Sequence, residues 1–379
     1  MSPNTDVHLS TSSEQDTLLD AAGDPAEPVF EAELSDKTSR LSFGNMVWPV
    51  LLSLAVLVGI GYFTYDPTVF RQLLRELNGW LLAAALATVG ARIFFGGWRL
   101  NHFSAGRLNM KDSLRSQVAW DFFAYVTPST IGGGPFVAFF IAKDRKLPLG
   151  ETTSLILFSM LMDQISLGLT MPLLMLCSIY LDVFPQTMGT VGYWIMTGFF
   201  VGYMTWILFF AYSTLFRPHL LAGLVERILG LKWLQRFRER AMHVMSDMQQ
   251  GARMLRTQRA SFYVKGAVLT VLPWISRYLL SLFIIWSVYP GVDKVLVFLR
   301  SVAMNLGSLA MPTPGGAGGV EGLYVLFLGP PLIPEALVAP TLLVWRLLSY
   351  YLFVALGLFV TMHYLQQTLA RKKQSKARM

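Results

Sequence analysis

Four ionisable side chains lie well inside long apolar runs of this chain: Arg92, Asp163, Arg277 and Arg346. Charge at such depth is expensive, so each is a functional candidate by default. Three arginines face one carboxylate, and an anionic ligand would neutralise the surplus. Arginine suits that task because its fork grips two phosphate oxygens at once and stays charged in apolar surroundings. Two glycine- and proline-rich clusters accompany these charges. The first runs Thr127-Pro128-Ser129-Thr130-Ile131-Gly132-Gly133-Gly134-Pro135-Phe136. The second runs Met311-Pro312-Thr313-Pro314-Gly315-Gly316-Ala317-Gly318-Gly319-Val320-Glu321.

The charges keep register with the clusters. When Pro128 is aligned with Pro312, Arg92 lies 36 residues before the first and Arg277 lies 35 before the second. Asp163 follows Pro128 by 35 residues, and Arg346 follows Pro312 by 34. Each half therefore contains a span with a buried arginine, a broken stretch and a span with a buried charge. Asp121, Arg300 and Glu321 belong to the broken stretches. Backbone freed by Gly and Pro cannot face lipid and survives only against protein or a polar cavity. Discontinuous helices at the interface of inverted repeats are a feature of secondary transporters. Their half-helix N-termini, with bare N–H groups, suit an anion such as phosphate.

The elements that must position these residues are membrane helices. Of the 379 residues, 54% are apolar and 14% charged, against about 25% charged in a soluble domain. Several runs exceed the ~20 residues that cross a bilayer, and they are too long and too uniformly apolar for a β-barrel. The expected fold is an all-α polytopic membrane protein with six full spans, at roughly 46–65, 80–98, 151–181, 190–214, 262–289 and 337–364. Stretches 116–142 and 295–328, each broken by a Gly/Pro cluster, complete it as re-entrant hairpins. The transmembrane domain covers 41–365, with a first half at about 80–181 and a second at about 262–364.

Lysine and arginine counts orient these spans. Connections 99–115, 143–149, 215–260 and 365–379 hold 21 bases, whereas 66–79, 182–189, 290–294 and 329–336 hold three. Both termini are thereby expected in the cytoplasm, with the protein in the cytoplasmic (inner or plasma) membrane. The two halves then run in opposite directions, and their hairpins enter from opposite faces. Residues 1–40 carry nine acids and two bases and few large apolar groups, the composition of a disordered cytoplasmic arm. It lacks the basic and apolar regions of a cleavable signal peptide. Connection 215–260 alternates apolar with basic residues, as an amphipathic surface helix does, and 366–379 is a basic tail.

Other chemistries find little footing. The five histidines, at 8, 102, 219, 243 and 363, show no metal-ligand spacing, and the single cysteine, Cys177, excludes an intrachain disulfide. Neither glycine cluster ends in Gly-Lys-Ser/Thr, and no Gly-x-Ser-x-Gly elbow occurs. No metal and no cofactor are expected. The net charge of +8 arises beside the spans and marks topology, so no nucleic-acid partner is expected.

The residues resemble the lysylphosphatidylglycerol synthase transmembrane-domain family, also called flippase-like domain proteins, over roughly 45–365. The sharpest piece is Pro312-x-Pro314-Gly315-Gly316-x-Gly318-x-x-Glu321. Arg92 with Trp98-Arg99-Leu100, the Pro128/Gly132-Gly133 turn, and Trp345-Arg346-Leu347-Leu348-Ser349-Tyr350-Tyr351 support it. The resemblance implies lipid translocation between leaflets. Where the family often places an acid and then an arginine after the first Gly-Gly, this chain has Gly134 and Val137. No aminoacyl-transferase domain like that of the bifunctional relatives is expected.

Three readings follow. The first is a transporter, not an enzyme, that flips an anionic, phosphate-bearing lipid or lipid-linked intermediate. Arg92, Asp163, Arg277, Arg346 and Glu321 would bind its headgroup. Pro128, Gly132, Gly133, Gly134, Pro312, Pro314, Gly315, Gly316 and Gly318 would supply hairpin backbone. The second is an intramembrane transferase on a lipid-phosphate carrier, with Asp163 or Glu321 as base. The third is a non-transporting scaffold for a lipid-modifying enzyme. Matched hairpins favour the first, because neither catalysis nor scaffolding requires them.

Overall fold

A computed structural model describes residues 77–126, 149–215 and 258–361 except 312, with isolated positions at 51–62, 137 and 141. All belong to the unit Pro49–Met379. The expected arm 1–40, the first glycine cluster, nearly all of connection 215–260 and the basic tail lie outside the described residues.

Every described element is helical. α1 spans Gly79–Phe103, α2 Met110–Val126, α3 Leu149–Tyr180 and α4 Gly189–Leu215. In the second half, α5 spans Ala260–Val288, α6 Lys294–Ser308 and α7 Gly319–Leu328. α8 begins at Glu335, widens into a π-turn over Leu347–Tyr351 and continues to Thr361. Five of these helices, α1, α3, α4, α5 and α8, are long and apolar enough to cross a membrane. They correspond to five of the six expected spans; the sixth, 46–65, is described only at scattered positions.

Local chemistry sets the ends. Asn78 caps α1, its Oδ1 accepting from the Trp80 and Leu81 amides at 3.1 and 3.3 Å, which satisfies two of the orphan donors of a helix start. The helix runs five residues beyond the expected end at 98, to Phe103. Arg99, counted above with a cytoplasmic connection, is therefore a buried helical residue at 4% exposure. Without it the count of bases stands at 20 against three, and the expected orientation is unchanged. Asn109 receives the Asp112 amide at 2.9 Å and starts α2, six residues before the expected start of the first broken stretch. Asp293 does the same for α6 through the Leu296 amide at 3.0 Å.

α1 and α5, the two helices that carry Arg92 and Arg277, pack along each other. α2 packs against α1, and α6 against α5. Close approach of α2 depends on Gly97, where a Cβ would lie 3.0 Å from the Leu114 backbone. α6 and α7 pack against each other as a helix–turn–helix, and α3 also meets α5. The main apolar core lies among α3, α5, α6, α7 and α8, with Leu280, Ile284, Leu306, Tyr324, Phe327 and Phe353 nearly free of solvent. The outer faces of α3 and α4 expose Leu169, Leu173, Trp194 and Ile195, as helix faces against lipid do.

Candidate functional site

α1, α2 and α5 bring three charged side chains to one phenol. Arg92 ion-pairs with Asp121 and donates through Nη1 to the Tyr125 hydroxyl at 3.1 Å. Arg277, from α5, donates through Nη2 to the same oxygen at 3.0 Å. Asp121 and Tyr125 are four residues apart on α2 and so share its face. Gln117, one turn earlier, donates to the second Asp121 oxygen at 3.1 Å. The Phe353 ring of α8 covers Arg92, with Cζ 4.3 Å from its centroid. Arg92 and Asp121 are buried, whereas Tyr125, Arg277 and Trp274 are partly exposed.

A second ion pair joins Arg99 and Asp163 at 2.6 Å, and Trp274 Nε1 donates to the same Asp163 oxygen at 2.9 Å. Trp274 also carries the Arg277 guanidinium 5.2 Å from its ring centroid. Among the described residues, Arg277 thus has a phenol and an indole for partners, and neither is a carboxylate.

The third pair explains the second glycine cluster. The chain turns at Gly315 and Gly316, with φ of 60° and 66°, a region that L side chains rarely adopt. A Cβ at Gly315 would also lie 2.3 Å from the Tyr350 ring. Gly318 caps α7, and Glu321, three residues on, takes the Gly318 amide at 2.8 Å, the return contact of a capping box. The same carboxylate pairs with Arg346 at 2.7 Å and accepts from Ser53 at 2.6 Å through its other oxygen. Tyr351 donates to the Ser53 hydroxyl at 3.0 Å. Arg346 Nη1 donates to the Gly315 carbonyl at 3.3 Å. Arg346 and Tyr350, at the start and inside of the π-turn, both reach this glycine turn. Tyr350 stands 5.2 Å from the Tyr125 centroid and 5.2 Å from Arg346 Cζ, linking the two clusters.

Two expectations change. The charge balance is not three arginines against one carboxylate: among the described residues Arg92, Arg99 and Arg346 each have one, Asp163 being that of Arg99, and Arg277 is the cation left over. The N-terminus of α7 already holds the carboxylate of Glu321. Among the predicted hairpin residues, Pro314, Gly315, Gly316 and Gly318 form the turn, whereas Pro128, Gly132, Gly133, Gly134 and Pro312 lie outside the described residues. Sequence reasoning missed Tyr125 as a site residue; the available signal was its i, i+4 relation to Asp121. Arg300 is satisfied elsewhere, donating to the Asp182 carbonyl at 2.8 and 3.0 Å. Among the described residues no group of three His, Cys, Asp or Glu could hold a metal.

The family model of the lysylphosphatidylglycerol synthase TM region matches residues 50–357. The chain belongs to that family. This span includes all three ion pairs and the Pro314–Glu321 turn, and it makes the chain an integral membrane protein of a lipid-related family. No curated protein and no solved structure matches it.

Proposed function

We propose that this family member moves an anionic, phosphate-bearing lipid between the leaflets of the cytoplasmic membrane, with both termini in the cytoplasm. The observation that carries the reading is Arg277: a guanidinium on a span-length helix whose partners among the described residues are a phenol and an indole. Intramembrane arginines are normally paired, and the other three of this cluster are. An arriving phosphate would supply the missing charge. The repeated unit of a charged span and a shorter helix, α1–α2 and α5–α6, supports an inverted-repeat transporter. In that scheme one half rocks against the other while the acyl chains stay in lipid.

The transferase alternative needs a free base, but both oxygens of Glu321 are engaged and Asp163 is held by Arg99 and Trp274. In reconstituted vesicles containing a fluorescent anionic lipid, Arg277→Gln should lose most translocation while the protein stays folded, and Arg277→Lys should retain part. Translocation by Arg277→Gln at the wild-type rate would remove Arg277 from the mechanism, and no translocation by the wild type would favour the scaffold.

A further inference from the structure

We propose that Asp163 is a proton-binding site that couples lipid movement to a pH gradient, taking up one proton for each negative charge moved. The inference rests on the translocation reading and names what drives it.

The carboxylates of the three ion pairs differ in what they have left to bind with. Asp121 uses one oxygen for Arg92 and the other for Gln117. Glu321 uses one for Ser53 and the other for Arg346 and the Gly318 amide. Asp163 uses a single oxygen, Oδ1, for both Arg99 and Trp274, at 2.6 and 2.9 Å. Among the described residues its Oδ2 has no donor. Its side chain is also the most exposed of the three, at 18% against 10% for Asp121 and 0% for Glu321. It sits near the middle of α3, which spans Leu149–Tyr180. Carboxylates at such depth serve as proton relays in membrane pumps and transporters.

The neighbours favour a proton over a metal cation. Facing Asp163 are Arg99 on α1, Tyr203 on α4, and Arg277 and Tyr278 on α5. On α6, Arg300 engages the far end of α3, at the Asp182 carbonyl. Both groups bonded to the carboxylate, the Arg99 guanidinium and the Trp274 indole, are donors, and a metal ion would have to displace them. A proton needs only the free oxygen. In the empty protein Arg99 balances the carboxylate. With the substrate's negative charge beside it, the same cation serves two anions, and a proton taken from water by Oδ2 restores the balance. Oδ1 still accepts from Trp274 in that state. The Tyr278 hydroxyl, buried at 4% exposure and without a partner among the described residues, lies one turn beyond Trp274 on the same face of α5 and supplies a relay.

The test uses the full-length protein in phosphatidylcholine vesicles with fluorescent phosphatidylglycerol as probe, whose phosphodiester stays ionised at neutral pH. One-for-one coupling is electroneutral and should enrich the probe about tenfold per pH unit in the leaflet facing the less acidic side. Pyranine inside the vesicles should report protons moving with it. Asp163→Asn, which mimics the protonated acid, should abolish the enrichment, and Asp163→Glu should keep it. Trp274→Phe removes a donor to the ionised form and keeps a ring beneath Arg277. It should move the midpoint of the pH–rate profile upward by about one unit, and an unshifted midpoint would overturn the site even if Asp163→Asn fails to fold. His102, one turn from Arg99, bonds the Phe262 carbonyl and is the competing titratable group; His102→Gln should leave the response intact. Enrichment that survives Asp163→Asn, or is lost in His102→Gln, would overturn the assignment. So would drive by a sodium gradient or a membrane potential with no response to pH. Two outcomes separate the levels. Translocation indifferent to pH sinks the coupling alone. A carboxylic-acid infrared band that appears on acidification and is lost in Asp163→Asn, without translocation of any anionic lipid, sinks the transport reading alone.

Discussion

At the scale of single residues, the decisive contrast is between arginines with and without a carboxylate. Removing one partner of a buried pair strands the other, at a cost of about 3–5 kcal/mol. Arg92→Gln should therefore destabilise the protein strongly, because Asp121 loses its counter-charge. Arg277→Gln strands no carboxylate among the described residues and removes a cation whose partners there are a phenol and an indole. Its melting temperature in detergent should match or exceed that of the wild type. Equal destabilisation by both variants would mean that Arg277 is held by a partner as strong as Asp121. The same logic ranks Glu321→Gln, which strands the Arg346 charge, well above Tyr351→Phe. The latter loses one neutral hydrogen bond worth about 1 kcal/mol. Detergent melts of the two variants should fall in that order.

At the scale of elements, the turn between α6 and α7 holds the family motif in place. Its glycines serve different ends. Gly315 and Gly316 allow positive φ, Gly315 admits the Tyr350 ring, and Gly318 offers its amide to Glu321. Gly315→Ala meets both the strained backbone region and the ring, so it should cost at least about 1–3 kcal/mol. It should also displace Tyr350 from its place against Tyr125. Gly90→Ala is the matched comparison. It lies in α1, where a Cβ would meet nothing within 4 Å, and should gain about 0.5–1 kcal/mol of helix stability. A Gly315→Ala protein that melts with the wild type would show that the turn tolerates a different path.

At the scale of the whole molecule, the proposed topology fixes which connections face which compartment. The basic connections are expected on the cytoplasmic side, because positive charge resists translocation. With Cys177 replaced by alanine, single cysteines at Lys143 and Ala260 should react only with reagent from the cytoplasmic side. Those at Thr187 and Leu332 should react only from the opposite side. Thr187 lies in the short turn between α3 and α4, and Leu332 between α7 and α8, so labelling there leaves the helices undisturbed. Reaction of Lys143→Cys from outside would overturn the opposed hairpins and with them the inverted repeat.

The helical membrane class, five of the spans and the helix break at Pro314–Gly318 were all legible in the sequence. Each is written locally. A run of apolar residues is recognised from its own composition, and a positive-φ glycine or a capping glutamate acts within a few residues of itself. Arg92, Arg346 and Glu321 were legible as charges in apolar runs, whereas the buried Arg99 was counted with a connection. Their pairing was not. Arg92 with Asp121 spans 29 residues, Arg99 with Asp163 spans 64, and Arg277 meets Tyr125 across 152. Those contacts depend on which helices pack and how each is rotated about its axis. Spacing along one chain segment reports which residues share a helix face, but not what lies opposite. Only the packing of α1 against α2, α3 and α5 supplied a carboxylate to Arg92 and Arg99, and among the described residues it supplied none to Arg277. The cation that carries the functional reading was therefore selected by tertiary structure, from candidates that the sequence presented as equals.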